Sequence, residues 1–97
     1  MSEDLKELRV KIDSIDAQLV DLFKQRMAVS RDIAAYKKEH SMPILQSPRY
    51  NEILENRSSM GKQMDLSPEF VKSILREIHE ESVRQQMIIM NDCEKEE

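Results

Sequence analysis

At 97 residues the chain is one domain, and a domain this small leaves much of its surface exposed when folded alone, so partners are expected. A formal charge of -4, with no basic run free of nearby acids, excludes a general phosphate-binding face and with it nucleic acid. With 39% hydrophobic and 35% charged residues, one Gly, three Pro and few aromatics, the composition reads as long helices rather than sheets with tight turns, an all-α fold class.

The N-terminus, MSEDLKELR, is charged where a secretion signal would be apolar. No apolar run approaches the roughly 20 residues of a membrane span, so a cytoplasmic protein with no membrane contact is expected. From Leu5 onward, Leu8, Ile12, Ile15, Leu19, Leu22, Arg26, Val29, Ile33 and Tyr36 recur at alternating steps of three and four, which predicts one helix over residues 4–39. Such a helix is roughly 54 Å long, more than a globule of this size is wide, so its seam calls for cover by other long helices. A second copy of the chain is the natural source.

Arg26 interrupts that seam at a position otherwise filled by Leu, Ile, Val and Tyr. A bland account makes it a snorkelling or register-setting residue; the functional account makes it an anion site inside the bundle. Lys37 follows on the same helix, and the two side chains point within about 20° of each other, with alpha carbons roughly 16 Å apart. Between them they can bracket a small molecule. Arg9 lies about 25 Å before Arg26 and about 42 Å before Lys37 on the same rigid helix. It reaches such a site only from a second chain, with two of these helices antiparallel in a dimer.

His40 to Ser47 breaks the heptad, and Pro43 disfavours helix at Met42, so a short connection is placed there. Ser47-Pro48 reads as an N-cap and first-turn proline opening a second helix over 47–60, with Gly61 near its end. Ser67-Pro68-Glu69 repeats the signal, and Val71, Ile74, Leu75, Ile78 and Ile89 carry a third helix over 67–90. Ser82 and Gln86, one turn apart, continue its apolar stripe and so face the interior; alone they would read as a polar helix end or satisfied amides. Residues 91–97 are read as a frayed acidic tail. Cys93 has no second cysteine to pair with, and His40 and His79 lack a zinc-ligand spacing, so no metal is expected and both histidines are given surface or satisfied-core roles. No repeat or linker divides the domain, residues 1–97.

The stretch Leu8-Arg9-Val-Lys-Ile-Asp-Ser-Ile-Asp16, then Leu22-Phe-Lys-Gln-Arg26-Met, Lys37, Pro43-Ile, Arg49 and Ser82-Val-Arg-Gln-Gln86 resembles the AroQ class of chorismate mutases over nearly the whole chain. The resemblance implies an intertwined homodimer of three-helix protomers acting on chorismate. It implies that Arg26 pairs with one substrate carboxylate, that Arg9 of the partner subunit clamps the second, and that Lys37 and Gln86 donate to the ether oxygen. Arg49 and Ser82 match further site-lining positions. Gln46 stands where an aspartate is common, and Tyr50 where a glutamate accepts from the substrate's ring hydroxyl; Asn51, Glu52 or the backbone are alternatives for that task. The wording around Tyr36, Gln46 to Leu54 and His79 to Gln86 further resembles mutase domains fused to the C-terminus of DAHP synthase. That leaves open that this chain is such a domain, excised, with a covalently fused or associated DAHP synthase as partner.

Conversion of chorismate to prephenate is an intramolecular [3,3] rearrangement that breaks an ether C–O bond as a C–C bond forms, and no proton moves. An enzyme for it has to hold the reactive conformer and stabilise charge growing on the ether oxygen, so no cofactor is expected. Two alternatives stand beside this reading. One is an isochorismate-pyruvate lyase of the same fold. The other is a non-catalytic dimerisation or regulatory module, which accounts for Arg26 but not for the joint placement of Lys37, Ser82 and Gln86.

Overall fold

The computed structural model describes the backbone of residues 2–96 and the side chains of residues 4–91; the Cys93 thiol and the end of the acidic tail lie outside the described residues. Three helices follow in order, α1 (Ser2–Glu39), α2 (Ser47–Gln63) and α3 (Pro68–Glu96), with no strand among the described residues. This is the all-α class that the composition implies.

No Gly or Pro falls within the 38 residues of α1, so nothing interrupts about 57 Å of helix. It stops where Ser41 takes a left-handed φ of 55°, with the Met42 and Ser41 amides donating back to the Lys37 and Lys38 carbonyls. α2 ends in the same way, with Asp65 at φ 62° and the Leu66 amide donating to the Gly61 carbonyl. Neither cap uses glycine, because the single glycine is placed inside α2 rather than at its end. At the other end of α2, Gln46 holds the cap position in extended backbone without a side-chain cap, so Ser47 is already helical and is not the N-cap. Ser67 does cap α3, its hydroxyl accepting from the Phe70 amide at 3.3 Å. With no Gly or Pro beyond Met90 to stop it, the α3 backbone stays helical through Glu96, where the sequence suggested a frayed tail.

Both α1 and α2 pack on α3, while their own backbones do not approach each other closely. Hydrogen bonds from Ser30 to Ser82 and from Lys38 to Ile89 show α1 and α3 running parallel. The Tyr50–His79 stack and the Glu55–Lys72 pair show α2 antiparallel to α3. The space left between α1 and α2, floored by α3, becomes the site.

Ala34 is the one buried apolar side chain among the described residues; the other buried positions are Ser30, Ser58, Gly61, Ser82 and Gln86. Residues 4 to 25 of α1 are all exposed, including Leu8, Ile12, Ile15, Leu19 and Leu22 of the apolar seam. The molecule measures 62 × 30 × 15 Å with a radius of gyration of 17.6 Å, against about 12 to 13 Å for a compact domain of this length. Within one chain, then, the cover expected for the first helix is missing. Among the described residues no helix is long and apolar enough to cross a membrane.

Gly61 lets α2 approach α3. A Cβ there would sit 2.6 Å from Val71 Cγ2, and a β-branched valine in a helix has little freedom to withdraw. Gly61→Ala is therefore expected to lose about 1 to 2 kcal/mol of stability by overpacking, despite the usual helical gain from Ala. Urea denaturation checks this, and Gly61→Ala combined with Val71→Ala should remove the clash. A single variant as stable as the parent would mean that the helices are not held at this separation.

Candidate active site

A cavity of about 390 Å³ opens between the three helices, within the usual range of about 300 to 1,000 Å³ for small-molecule sites. α1 lines it with Arg26, Ser30, Ile33 and Lys37, which recur at helical spacing along one face. Tyr50, Ile53 and Arg57 do the same from α2, joined by Arg49 and by Gln46 at the helix entrance. α3 contributes His79, Ser82, Val83 and Gln86, again one stripe.

A polar network ties α1 to α3 at the floor. Lys37 Nζ donates to Gln86 Oε1 at 3.0 Å and to the Ile44 carbonyl at 2.6 Å, in the connection that doubles back after α1. Because an ammonium only donates, the Gln86 atom facing Lys37 must be its oxygen, so the amide nitrogen faces Ser30 Oγ at 3.2 Å and Ser82 Oγ at 3.3 Å. Those two hydroxyls are hydrogen-bonded to each other and therefore lie on the same side of the nitrogen. Two acceptors so close together engage one of the amide's two hydrogens, and among the described residues the nitrogen has no further hydrogen-bond partner for the second. All of these groups are satisfied, as buried polar side chains need to be.

The lining carries four cations, Arg26, Lys37, Arg49 and Arg57, and no carboxylate, in a chain whose net charge is -4. Burial, and then the nearby Arg57 and Arg49, press the Arg26 pKa below its ordinary value. Burial does the same to Lys37. Like charges gathered around one partly buried cleft in this way are complementary to an anionic ligand of more than one charge. Arg49 sits at the edge, exposed, with Nη1 2.5 Å from Glu52 Oε1.

Of the residues singled out in the sequence, Arg26, Lys37, Gln46, Arg49, Tyr50, Ser82 and Gln86 all line this one cavity, and Ser82 and Gln86 are buried. Arg9 does not; it is exposed on the free part of α1, about 25 Å before Arg26. Neither Asn51 nor Glu52 lines the cavity; both are exposed, with Glu52 engaged by Arg49. Three polar lining residues were not given a role in the site from the sequence, Ser30, Arg57 and His79. Ser30 and Arg57 carried a signal, each four residues from another lining position on its own helix face. His79, given a surface or satisfied-core role, stands on the Ser82–Gln86 stripe and stacks on Tyr50, ring centroids 3.9 Å apart.

Comparison with known proteins finds relatives over most of the chain. The T-protein of Haemophilus influenzae is 31% identical over 80 residues, covering 82% of this chain and 21% of that protein. The bifunctional chorismate mutase/prephenate dehydratase of Buchnera aphidicola is 31% identical over 88 residues, covering 91% of this chain and 23% of that protein. The 4-amino-4-deoxychorismate mutase of Streptomyces pristinaespiralis is 26% identical over 83 residues, covering 86% and 64%. This chain thus spans about a fifth of the first two relatives, and the second activity in the name of the Buchnera protein is prephenate dehydratase, not DAHP synthase. The family model for chorismate mutase type II matches residues 8–87, from the apolar seam of α1 through Gln86, so the chain belongs to the type II chorismate mutase family.

Proposed function

We propose that the protein is a chorismate mutase that rearranges chorismate to prephenate in phenylalanine and tyrosine biosynthesis, without a cofactor, in the cytoplasm. The observation that carries the reading is the Lys37–Gln86 pair, 3.0 Å apart at the floor of a cavity with four cations and no carboxylate. Arg26 holds one substrate carboxylate through the bidentate geometry of a guanidinium. Lys37 and the free hydrogen of the Gln86 amide then donate to the ether oxygen as negative charge grows on it. Arg49, Ser82, Gln46 and Tyr50 shape the remaining walls.

The second carboxylate is assigned to Arg9 of the partner subunit in a homodimer. The bare seam on residues 4–25 and the elongated shape support that assembly, since a second copy would bury both seams at once. A covalently joined enzyme of the same pathway belongs to the proposal too. The wording of the chain favours a DAHP synthase, while the Buchnera relative offers prephenate dehydratase as the other choice.

The named activity of the Streptomyces relative raises a second substrate, 4-amino-4-deoxychorismate. Its amine is a cation near neutral pH and would enter a cavity holding four cations with no carboxylate to receive it. Chorismate is expected to be turned over about tenfold better or more, from the Coulomb cost of like charges at contact range. The deciding experiment follows loss of chorismate, isochorismate and the amino analogue by purified protein in excess chelator. Prephenate formed from chorismate, unchanged by chelator or added nicotinamide, is the expected result. Pyruvate released from isochorismate would favour the lyase, and no consumption of any of them would leave a helical dimerisation module.

A further inference from the structure

We propose that His79 is a specificity-determining residue of this site, its imidazole accepting a hydrogen bond from the substrate's ring hydroxyl while Tyr50 holds the ring in place. The inference rests on chorismate being the substrate. Chorismate enters as a dianion whose hydroxyl is its one hydrogen-bond donor, and that donor needs an acceptor in a cavity lined mainly by donors. No carboxylate lines the cavity, and the Ser30 and Ser82 hydroxyls are committed to each other and to Gln86. The Gln86 oxygen is likewise committed, to Lys37.

Among the lining side chains, that leaves His79, Tyr50 and Gln46, while the Ile44 carbonyl is already engaged by Lys37. Gln46 sits at the entrance of α2 in extended backbone, whereas His79 is carried by α3 on the stripe that also presents Ser82 and Gln86. Its ring lies against Tyr50 at 3.9 Å with 27° between planes, which fixes its direction and leaves its edge for hydrogen bonding. A neutral imidazole has one acceptor nitrogen; a protonated one has none. The groups facing His79 keep it neutral. Burial first, then Arg26 from α1, and then Lys37 lower its pKa from the ordinary 6.5, outweighing Glu80 on its own helix, while Arg49 and Arg57 add positive charge across the cavity from α2. The acceptor is therefore present above the ordinary histidine range and is lost only as the pH falls below it.

Three proteins and two substrates test this. The proteins are wild type, His79→Phe, which keeps the stack without ring nitrogens, and His79→Asn, which restores a carbonyl acceptor. The substrates are chorismate and its analogue with the ring hydroxyl replaced by hydrogen. Wild type should prefer chorismate by about 10- to 100-fold in kcat/KM, the value of a hydrogen bond that is made against an imidazole acceptor left unpaired. His79→Phe should lose that preference while handling the analogue as wild type does, and His79→Asn should recover part of it. Wild-type kcat/KM should fall at acid pH below 6.5, and the His79→Phe profile should be flat there. A His79→Phe protein that keeps both the preference and the acid limb overturns the assignment, as does equal loss on both substrates. Wild-type protein inert toward chorismate overturns the proposed function itself, and this inference with it.

Discussion

Arg9→Ala and Arg26→Ala proteins are each expected to fall at least about 30-fold in kcat/KM for chorismate, and an equal mixture, unfolded and refolded together, to recover roughly a quarter of wild-type activity. Each truncation leaves a substrate carboxylate unpaired in a water-poor site, a loss of about 2 to 5 kcal/mol at roughly 1.4 kcal/mol per factor of ten. In a mixed dimer the Arg9→Ala protomer keeps its own Arg26 and Lys37 and receives an intact Arg9 from its partner, so one of the two sites is whole. With random exchange about half of the dimers are mixed and half of their sites work, which gives the quarter if the sites act independently. The competing geometry is already in the cavity. Arg57 lines it beside Arg26 and, with Arg49 at the edge, supplies a further guanidinium from the same chain. Arg9→Ala at full activity with Arg57→Ala nearly dead would place both clamps in cis, and verified heterodimers without rescue would exclude a site shared in this way.

Gln86→Glu is expected to lose about 100- to 1000-fold at neutral pH, the value of a preorganised donor to a developing oxyanion, and to regain activity as the pH falls. A glutamate at this position donates only when protonated. Burial raises its pKa from an ordinary value near 4.3, while Lys37, 3.0 Å from the present Oε1, lowers it by favouring the carboxylate. Whatever their balance, the sign is the same. Activity relative to wild type at each pH falls as pH rises through the glutamate's pKa, whereas the glutamine, a donor at every pH, gives no such limb. Taking the ratio at each pH also cancels any titration of His79 common to both proteins. A variant whose ratio to wild type is flat with pH would remove Gln86 from the ether oxygen.

What the sequence determined by itself lies within single helices. At 100° per residue, Arg26 and Lys37 share a face whatever surrounds them, as do Ser82 and Gln86, and both pairs line the same cavity. Pro43 and the Ser67-Pro68 pair mark real interruptions, because proline restricts the residue before it and suits a first helical turn. What the tertiary structure decided lies between helices. Arg49 and Arg57 share a face of α2, but only packing on α3 says that this face meets Arg26, and only the antiparallel course of α2 brings Tyr50 onto His79. Gly61 looked like a helix end because glycine suits left-handed caps. Its use is instead close approach to Val71, and Ser41 and Asp65 take the left-handed positions. The difference has one physical origin. Backbone geometry relates neighbours along a helix directly, whereas the rotation and offset of one helix on another come from side-chain packing between residues some fifty positions apart, as in Ser30 with Ser82.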